Sequence, residues 1–396
     1  MEECKFYDDS FCHSLSKMFV YFLLICYNRR SCIQGGNKMD KKLEVLKEIT
    51  DANGISGNEG EPRKVFKKMV ADVADEVTQD KLGSVIAKKV GVADGPKIAI
   101  AGHLDEVGFI VHYIDDNGFI KFTPVGGWWS QVLLSQQMTI TTRTGKRVHG
   151  IIGSTPPHVL TEEARKKVVK LEDLYLDIGV DNKEEAEAAG IKPGDMITPY
   201  LEFRELENSK YLLAKAWDNR FGCALAVDVM NNLKGEPHPN EYFGIATVQE
   251  EVGCRGAATV ANMINPDIVI AADVVLDGKV PGAEKIKSKM GEGPVIILMD
   301  GGTVGHKALR EYIVDLAEEL EIPHQFDVLM GGGTDAATMH RAHDGAPSMS
   351  FGIPTRYIHS NGSIIHRDDY DNAVKLMTEF VKRFDAKALE SIVYAD

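Results

Sequence analysis

Lys97-Ile98-Ala99-Ile100-Ala101-Gly102-His103-Leu104-Asp105 is a short apolar run that ends, past a glycine, in a histidine and an aspartate. A run of this length, bounded by turn signals, reads as a buried strand. Open α/β sheets gather their chemistry in the crevice outside the carboxyl ends of such strands. The same arrangement recurs downstream: residues 242–248 lead to Glu250 and Glu251, and residues 268–272 lead to Asp273. Two further segments carry a potential metal ligand, Trp217-Asp218-Asn219-Arg220 and Arg356-Tyr357-Ile358-His359-Ser360. Five such segments in one chain point to a two-metal hydrolase.

Outward from these segments, strand-like runs alternate with helical patterns. Leu43, Leu46 and Ile49 recur at helical spacing, and a second helix carries Val65, Phe66, Met69 and Val73. Helices are expected over 257–264, 305–320, 334–341 and 369–384, with strands over 325–329 and 348–351. Alternation of this kind implies an α/β fold on a mixed, mostly parallel sheet with helices on both faces. Residues 107–205 break the rhythm. They hold short β-branched runs between turn signals such as Asn117-Gly118, Gly126-Gly127 and Lys192-Pro193-Gly194-Asp195, with one short helix near 183–189. This stretch reads as a small β-rich domain inserted between two halves of the α/β domain. The expected organisation is a catalytic domain over 39–105 and 206–396, interrupted by an insert over 106–205.

At 396 residues the chain exceeds one core of ordinary size. Its 59 acidic against 45 basic residues give a net charge of -14, which argues against nucleic acid or an anionic membrane surface as the main partner. The first 38 residues differ from the rest. They hold four of the six cysteines and an apolar run over 18–26, too short to span a bilayer, behind an acidic start unlike a secretory signal. Met39 reads as the true start and 1–38 as a non-native or disordered leader, with a short membrane-associated leader as the second option. The leader carries five basic and four acidic residues, so the remainder stands at -15. Only Cys223 and Cys254 then remain, too few for a disulfide framework; they read as small packing residues in a reducing cytosol.

Zinc, cobalt and manganese accept imidazole and carboxylate, and a pair of ions needs one shared carboxylate with further donors on each. His103, Asp218, Glu251, Asp273 and His359 supply two imidazoles and three carboxylates, enough for two divalent ions with Asp218 shared. Glu250, beside a donor, cannot easily enter the same coordination sphere and is placed to act as general base. Asp105, two residues past His103, is expected to accept the second ring N–H and fix the tautomer. Each piece also has a plainer role: a capping pair for His103 and Asp105, an N-cap for Asp218, an acidic first turn for Glu250 and Glu251, a turn for Asp273, a core histidine for His359. Five plain roles coinciding at strand ends is the weaker account. Asp335, in Gly331-Gly332-Gly333-Thr334-Asp335, reads either as orienting a substrate amine or as the N-cap of the helix after it.

In order and spacing, H-L-D-E-V-G-F (103–109), D-N-R-x-G (218–222), Q-E-E-V-G-C-R-G-A (249–257), A-A-D-V (271–274), G-G-G-T-D-A (331–336) and P-T-R-Y-I-H-S (354–360) resemble the glutamyl and tetrahedral (TET) aminopeptidases. Members of that metallopeptidase family are often labelled cellulase or endoglucanase M. The resemblance covers about 39–393. It implies a phosphorylase/hydrolase-like α/β domain in which His103, Asp218 and Asp273 hold one ion, Asp218, Glu251 and His359 the other, and Glu250 is the base. It further implies zinc or cobalt, with manganese as a third option, and peptide substrates cut at their N-terminal residue in the cytoplasm. By the same likeness the insert is a PDZ-like or β-barrel dimerisation domain, and dimers build a hollow tetrahedral dodecamer. Two rivals stand beside this reading. One is an endoglucanase with Trp128-Trp129 as its aromatic platform, which has no need of five metal donors; the other is a non-catalytic metal-binding shell protein, against which Glu250 counts.

Overall fold

The computed structural model describes residues 41–393. The reading of 1–38 as a leader lies outside the described residues. Two helices, α1 (Lys41–Asp51) and α2 (Gly60–Val70), precede three strands, β1 (Glu76–Gln79), β2 (Val85–Val90) and β3 (Lys97–His103). Six strands follow: β4 (Gly108–Ile114), β5 (Ile120–Val125), β6 (Gln137–Thr141), β7 (Arg147–Gly153), β8 (Tyr175–Asp177) and β9 (Met196–Pro199). Their connections carry two short helices, α3 (Glu162–Arg165) and α4 (Lys183–Ala188). Strands β10 (Arg204–Glu205) and β11 (Tyr211–Ala214) lead into α5 (Trp217–Asn232). Then come β12 (Glu241–Thr247), α6 (Arg255–Ile264), β13 (Ile268–Leu276), β14 (Val295–Met299), α7 (Lys307–Glu319) and β15 (Gln325–Val328). The chain closes with α8 (Ala336–Met339), β16 (Ser348–Thr355), β17 (Ser363–His366), α9 (Arg367–Arg383) and α10 (Ala386–Ile392).

Eight strands form one mixed sheet in the order β1-β2-β12-β3-β13-β16-β14-β15. Its centre, β12, β3, β13 and β16, is parallel. Residues alternate between the faces of a strand, so Ala99 and Ala101 of β3 pack with Phe243, Ile245, Val260 and Ala261 under α6. Ile98 and Ile100 point to the opposite face, against α5. Helix α5 is buried around most of its circumference, as expected of a helix that lies on β3, β12 and β13 and is itself covered by α9. Gly102 and Gly222 let α5 come close: a Cβ on Gly102 would sit 2.4 Å from the backbone carbon of Gly222. That contact brings the start of α5 down onto the end of β3.

β4 to β9 close into a separate barrel, in the order β4-β5-β8-β7-β6-β9. Pairing of Phe109 with Ile197 joins its first strand to its last. Phe109, Ile140, Leu176 and Ile197 fill its interior. The class read from the sequence, an α/β domain with an inserted small β-rich domain, is therefore the architecture adopted, and of the two forms the resemblance allowed for the insert, PDZ-like or β-barrel, the chain takes the closed barrel. Some details differ. Strands β1, β2 and β14 and the short helix α3 were not legible as such, and the helix expected over 334–341 shrinks to the single turn of α8. Among the described residues no helix is long and apolar enough to cross a membrane.

Candidate metal centre

Three neighbouring parallel strands carry four of the candidate residues to one end of the sheet. Thr247 at the end of β12 lies in register with His103 at the end of β3, so Glu250 and Glu251 follow beside it. Asp273 sits on β13, the other neighbour of β3. It lies inside that strand rather than just past it, because β16 continues the ladder alongside as far as Leu276 with Thr355. Asp218 comes from the first turn of α5, whose backbone departs from helical angles at Asp218 and Asn219. His359 comes from the loop after β16, with a left-handed φ of 55°. Gln249 and Cys254, either side of the two glutamates, are also left-handed; non-glycine residues held there cluster at functional sites.

These segments converge. Oδ1 of Asp218 lies 3.2 Å from Nε2 of His103, and Oδ2 lies 3.2 Å from Nε2 of His359. His359 Nε2 is also 3.4 Å from Glu251 Oε2. Two donor sets result, His103 with Asp218 and Asp273, and Asp218 with Glu251 and His359; within each, the ligand atoms lie within 4.8 Å of one another. Glu250 belongs to neither set, its Oε2 standing 3.7 Å from His103 Nε2.

The electrostatics fit cations. Burial and the neighbouring Asp218 push the carboxyls of Glu251 and Asp273 well above the usual carboxylate range. Burial acts the same way on Asp218, but the two imidazoles at its oxygens outweigh it and hold that carboxyl low. Burial also opposes charge on the histidines, yet Asp218 and the surrounding acids raise His103 well above its ordinary value and His359 to about 9. Burial, with Asp335, Asp218 and Asp105 nearby, lifts Glu250 to about 7. Oε1 of Glu251 is buried with no hydrogen-bond donor, uncommon for a carboxylate oxygen unless another partner binds there. Divalent ions would satisfy that oxygen and relieve the repulsion among three buried carboxylates.

Asp105 corrects one expectation. His103 Nδ1 bonds the backbone carbonyl of Asp105 at 2.8 Å, while the carboxylate is 3.6 Å away. The carboxylate instead accepts the backbone N–H groups of Glu250 and Glu251, at 3.1 Å each, and the Ser56 hydroxyl at 2.6 Å. Its reach spans two strands, which no sequence spacing reveals. The N-cap reading of Asp218 also moves by one residue. Asn219 Oδ1 accepts the N–H of Gly222 and its Nδ2 donates to the Ala272 carbonyl, so the neighbour caps α5 and leaves both oxygens of Asp218 to the imidazoles. Nor does Asp335 cap α8: its Oδ2 accepts from the Thr247 hydroxyl.

Further residues escaped the sequence reading. Arg220, fully buried, donates to the carbonyls of Leu104, Ile49 and Ala52, and Lys215 and Glu106 form a buried ion pair beside it. The adjacency of Arg220 to Asp218 was the available signal. Glu59 accepts the N–H of Gln249 and so holds the turn before Glu250. From the barrel, the Gly126-Gly127 turn reaches the centre: a Cβ on Gly127 would lie 3.1 Å from His359 Nδ1, and one on Gly126 3.4 Å from Glu251. Trp128 turns inward, stacks on Phe109 at 5.0 Å and donates to the Gly108 carbonyl. A cavity of about 890 Å³ opens onto the donors, with an apolar wall that includes Val275, Leu276, Ile286 and Leu329.

The fold that carries this centre has close counterparts. A TET aminopeptidase from the marine sediment archaeon Thaumarchaeota archaeon SCGC AB-539-E09 superposes with a TM-score of 0.87 at 42% identity, over 89% of this chain and all of that one. The Pyrococcus horikoshii TET1 peptidase, which can assemble into a tetrahedron or a large octahedral shell, matches at a TM-score of 0.77 and 31% identity, over 87% of this chain and 100% of that one. The lysyl aminopeptidase of Pyrococcus furiosus is 34% identical over 337 residues, 84% of this chain and 94% of its own. The sequence pattern described as M42 glutamyl aminopeptidase matches residues 83–376. A match of that breadth, running from β2 through the barrel to the middle of α9, makes this chain a member of the M42 glutamyl aminopeptidase family.

Proposed function

We propose that the protein is a two-metal aminopeptidase that removes N-terminal residues from peptides. The observation that carries this reading is Asp218, whose two oxygens face different imidazoles, each within its own donor set. One divalent ion would be held by His103, Asp218 and Asp273, the other by Asp218, Glu251 and His359. The nitrogen and oxygen donors suit zinc or cobalt, with manganese as a third option. Ions bound there supply Lewis acidity toward the scissile carbonyl and toward water.

The chain's own residues do the rest. Glu250 lies beside both sets but in neither, so its carboxylate is available to take a proton from the attacking water and return it to the leaving amine. Asp105 fixes where that base stands, by holding the amides of Glu250 and Glu251. His103 is oriented by the Asp105 carbonyl, which leaves Nε2 toward Asp218. The cavity receives the first side chain of the peptide along its apolar wall. Trp128 is folded into the barrel and only Trp129 of the pair is exposed; what disfavours an endoglucanase is the pair of donor sets, which a two-carboxylate glycosidase does not need. The two described cysteines are free, in keeping with a cytoplasmic enzyme. We further propose that the barrel is the dimerisation domain and that dimers build a closed dodecameric shell; the likeness to the P. horikoshii peptidase, described as a dodecamer and as assembling into a tetrahedron or a large octahedral shell, supports the closed assembly.

Glu250→Gln tests the mechanism. The variant should keep its metal content by elemental mass spectrometry and lose about a hundredfold or more in hydrolysis of aminoacyl-anilides. Wild-type protein should leave N-blocked peptides and cellulose untouched. Peptide cleavage that survives in a metal-loaded Glu250→Gln protein removes Glu250 from the mechanism.

A further inference from the structure

A third group of ligand atoms lies beside the two donor sets. Glu250, Cys254 and Asp335 each bring one potential ligand atom within 4.8 Å of the others. The Cys254 sulfur stands 3.3 Å from Glu250 Oε1 and 3.5 Å from the Thr334 carbonyl. Glu250 and Cys254 both line the cavity, so an ion can reach them from solvent. Asp335 supplies the independent sign of a ligand. Its side chain is 3% exposed, Oδ2 is taken by the Thr247 hydroxyl, and Oδ1 has no hydrogen-bond partner at all. A buried carboxylate oxygen left without a donor is costly, and a cation between Asp335, Glu250 and Cys254 would satisfy it.

We propose that Glu250, Cys254 and Asp335 form a third cation site, selective for thiophilic divalent ions such as cadmium and excess zinc, and that its occupation ties up Glu250 and inhibits the enzyme. The sulfur sets its selectivity. The two donor sets offer only nitrogen and oxygen, whereas thiolate favours zinc and cadmium over manganese. Binding exchanges the S–H bond of Cys254 for a sulfur–metal bond and releases the proton to solvent. The inhibitory consequence rests on the reading of Glu250 as the base; the existence of the site does not.

Cadmium added to the metal-loaded full-length protein tests both parts. The wild type should develop an ultraviolet sulfur-to-cadmium charge-transfer band and lose about a hundredfold in rate. Cys254→Ala should lack that band and keep its rate at the same cadmium concentration. Asp335→Asn should require about tenfold or more cadmium for the same signal. Cys4, Cys12, Cys26, Cys32 and Cys223 are common to all three proteins and cancel in the comparison. In the wild type alone, cadmium should protect Cys254 from alkylation, read by peptide mass spectrometry, which keeps the test independent of how the variants fold. Identical bands in wild type and Cys254→Ala, or unprotected Cys254, overturn the site. A Cys254-dependent band with no loss of rate leaves the site standing and overturns Glu250 as the base.

Discussion

The carboxylate of Asp105 passes over the imidazole two residues before it and grips the amides of Glu250 and Glu251 instead. One buried side chain thereby fixes a proposed base and a proposed ligand together. Asp105→Ala removes both grips. It should weaken metal binding about 10- to 100-fold and lower kcat, while leaving His103 with its carbonyl partner. Metal titration followed by calorimetry reads the first effect; unchanged affinity would reduce Asp105 to a packing role. That these side chains meet at one end of the sheet was legible, because potential metal ligands recur at or near the ends of apolar strand-like runs. Their partners were not. Asp105 reaches across 145 residues of chain to Glu250, and Asn219 takes over the cap that spacing alone assigns to Asp218.

Elements position the centre through contacts that only a few residues permit. β13 is fastened past its carboxyl end by Asp277, whose Oδ2 accepts from Arg356 at 2.7 Å and whose Oδ1 accepts the N–H groups of Lys279 and Met290. Burial works to raise this carboxyl, but the Met290 amide, Arg356 and the Lys279 amide outweigh it and hold the group below its usual range. A folded value below the unfolded one means stability that is full above the unfolded value of 3.8 and lost as pH falls through the folded one. Asp277→Asn should therefore cost about 2 kcal/mol at neutral pH, and the difference from wild type should shrink toward strong acid. Thermal melts of both proteins from pH 7 downward check this; a difference that stays constant with pH would mean the ion pair is not its source. The long apolar strands could be read from sequence, since they are buried on both faces. Short β1 and β2 at the sheet edge, with the polar Glu-Val-Thr-Gln and the charged end of Val-Ile-Ala-Lys-Lys-Val, carry no such signal.

For the whole molecule the barrel is the element whose shape the sequence left open between two forms. Its closure depends on Phe109 meeting Ile197, a pairing too distant along the chain for local patterning to encode. Its β7 exposes Ile151 and the connection from β7 to β8 exposes Val159 and Val168, at 45%, 73% and 54%, and the proposed subunit contact is tested on the two valines. Sedimentation velocity of the metal-loaded protein should show a dodecamer, and replacing Val159 and Val168 with Asp should yield smaller species. A wild-type monomer at working concentration would end the shell reading. The chain order of the donors has a consequence for biosynthesis. A ribosome-bound chain presents His103 first and then the whole barrel, so the first proposed donor set is completed only when Asp273 emerges and the second only at His359. Because β13 is paired through Asp273 with β16, which is made just before His359, both proposed donor sets take shape only once nearly the whole chain has been synthesised and the domain folds as a unit.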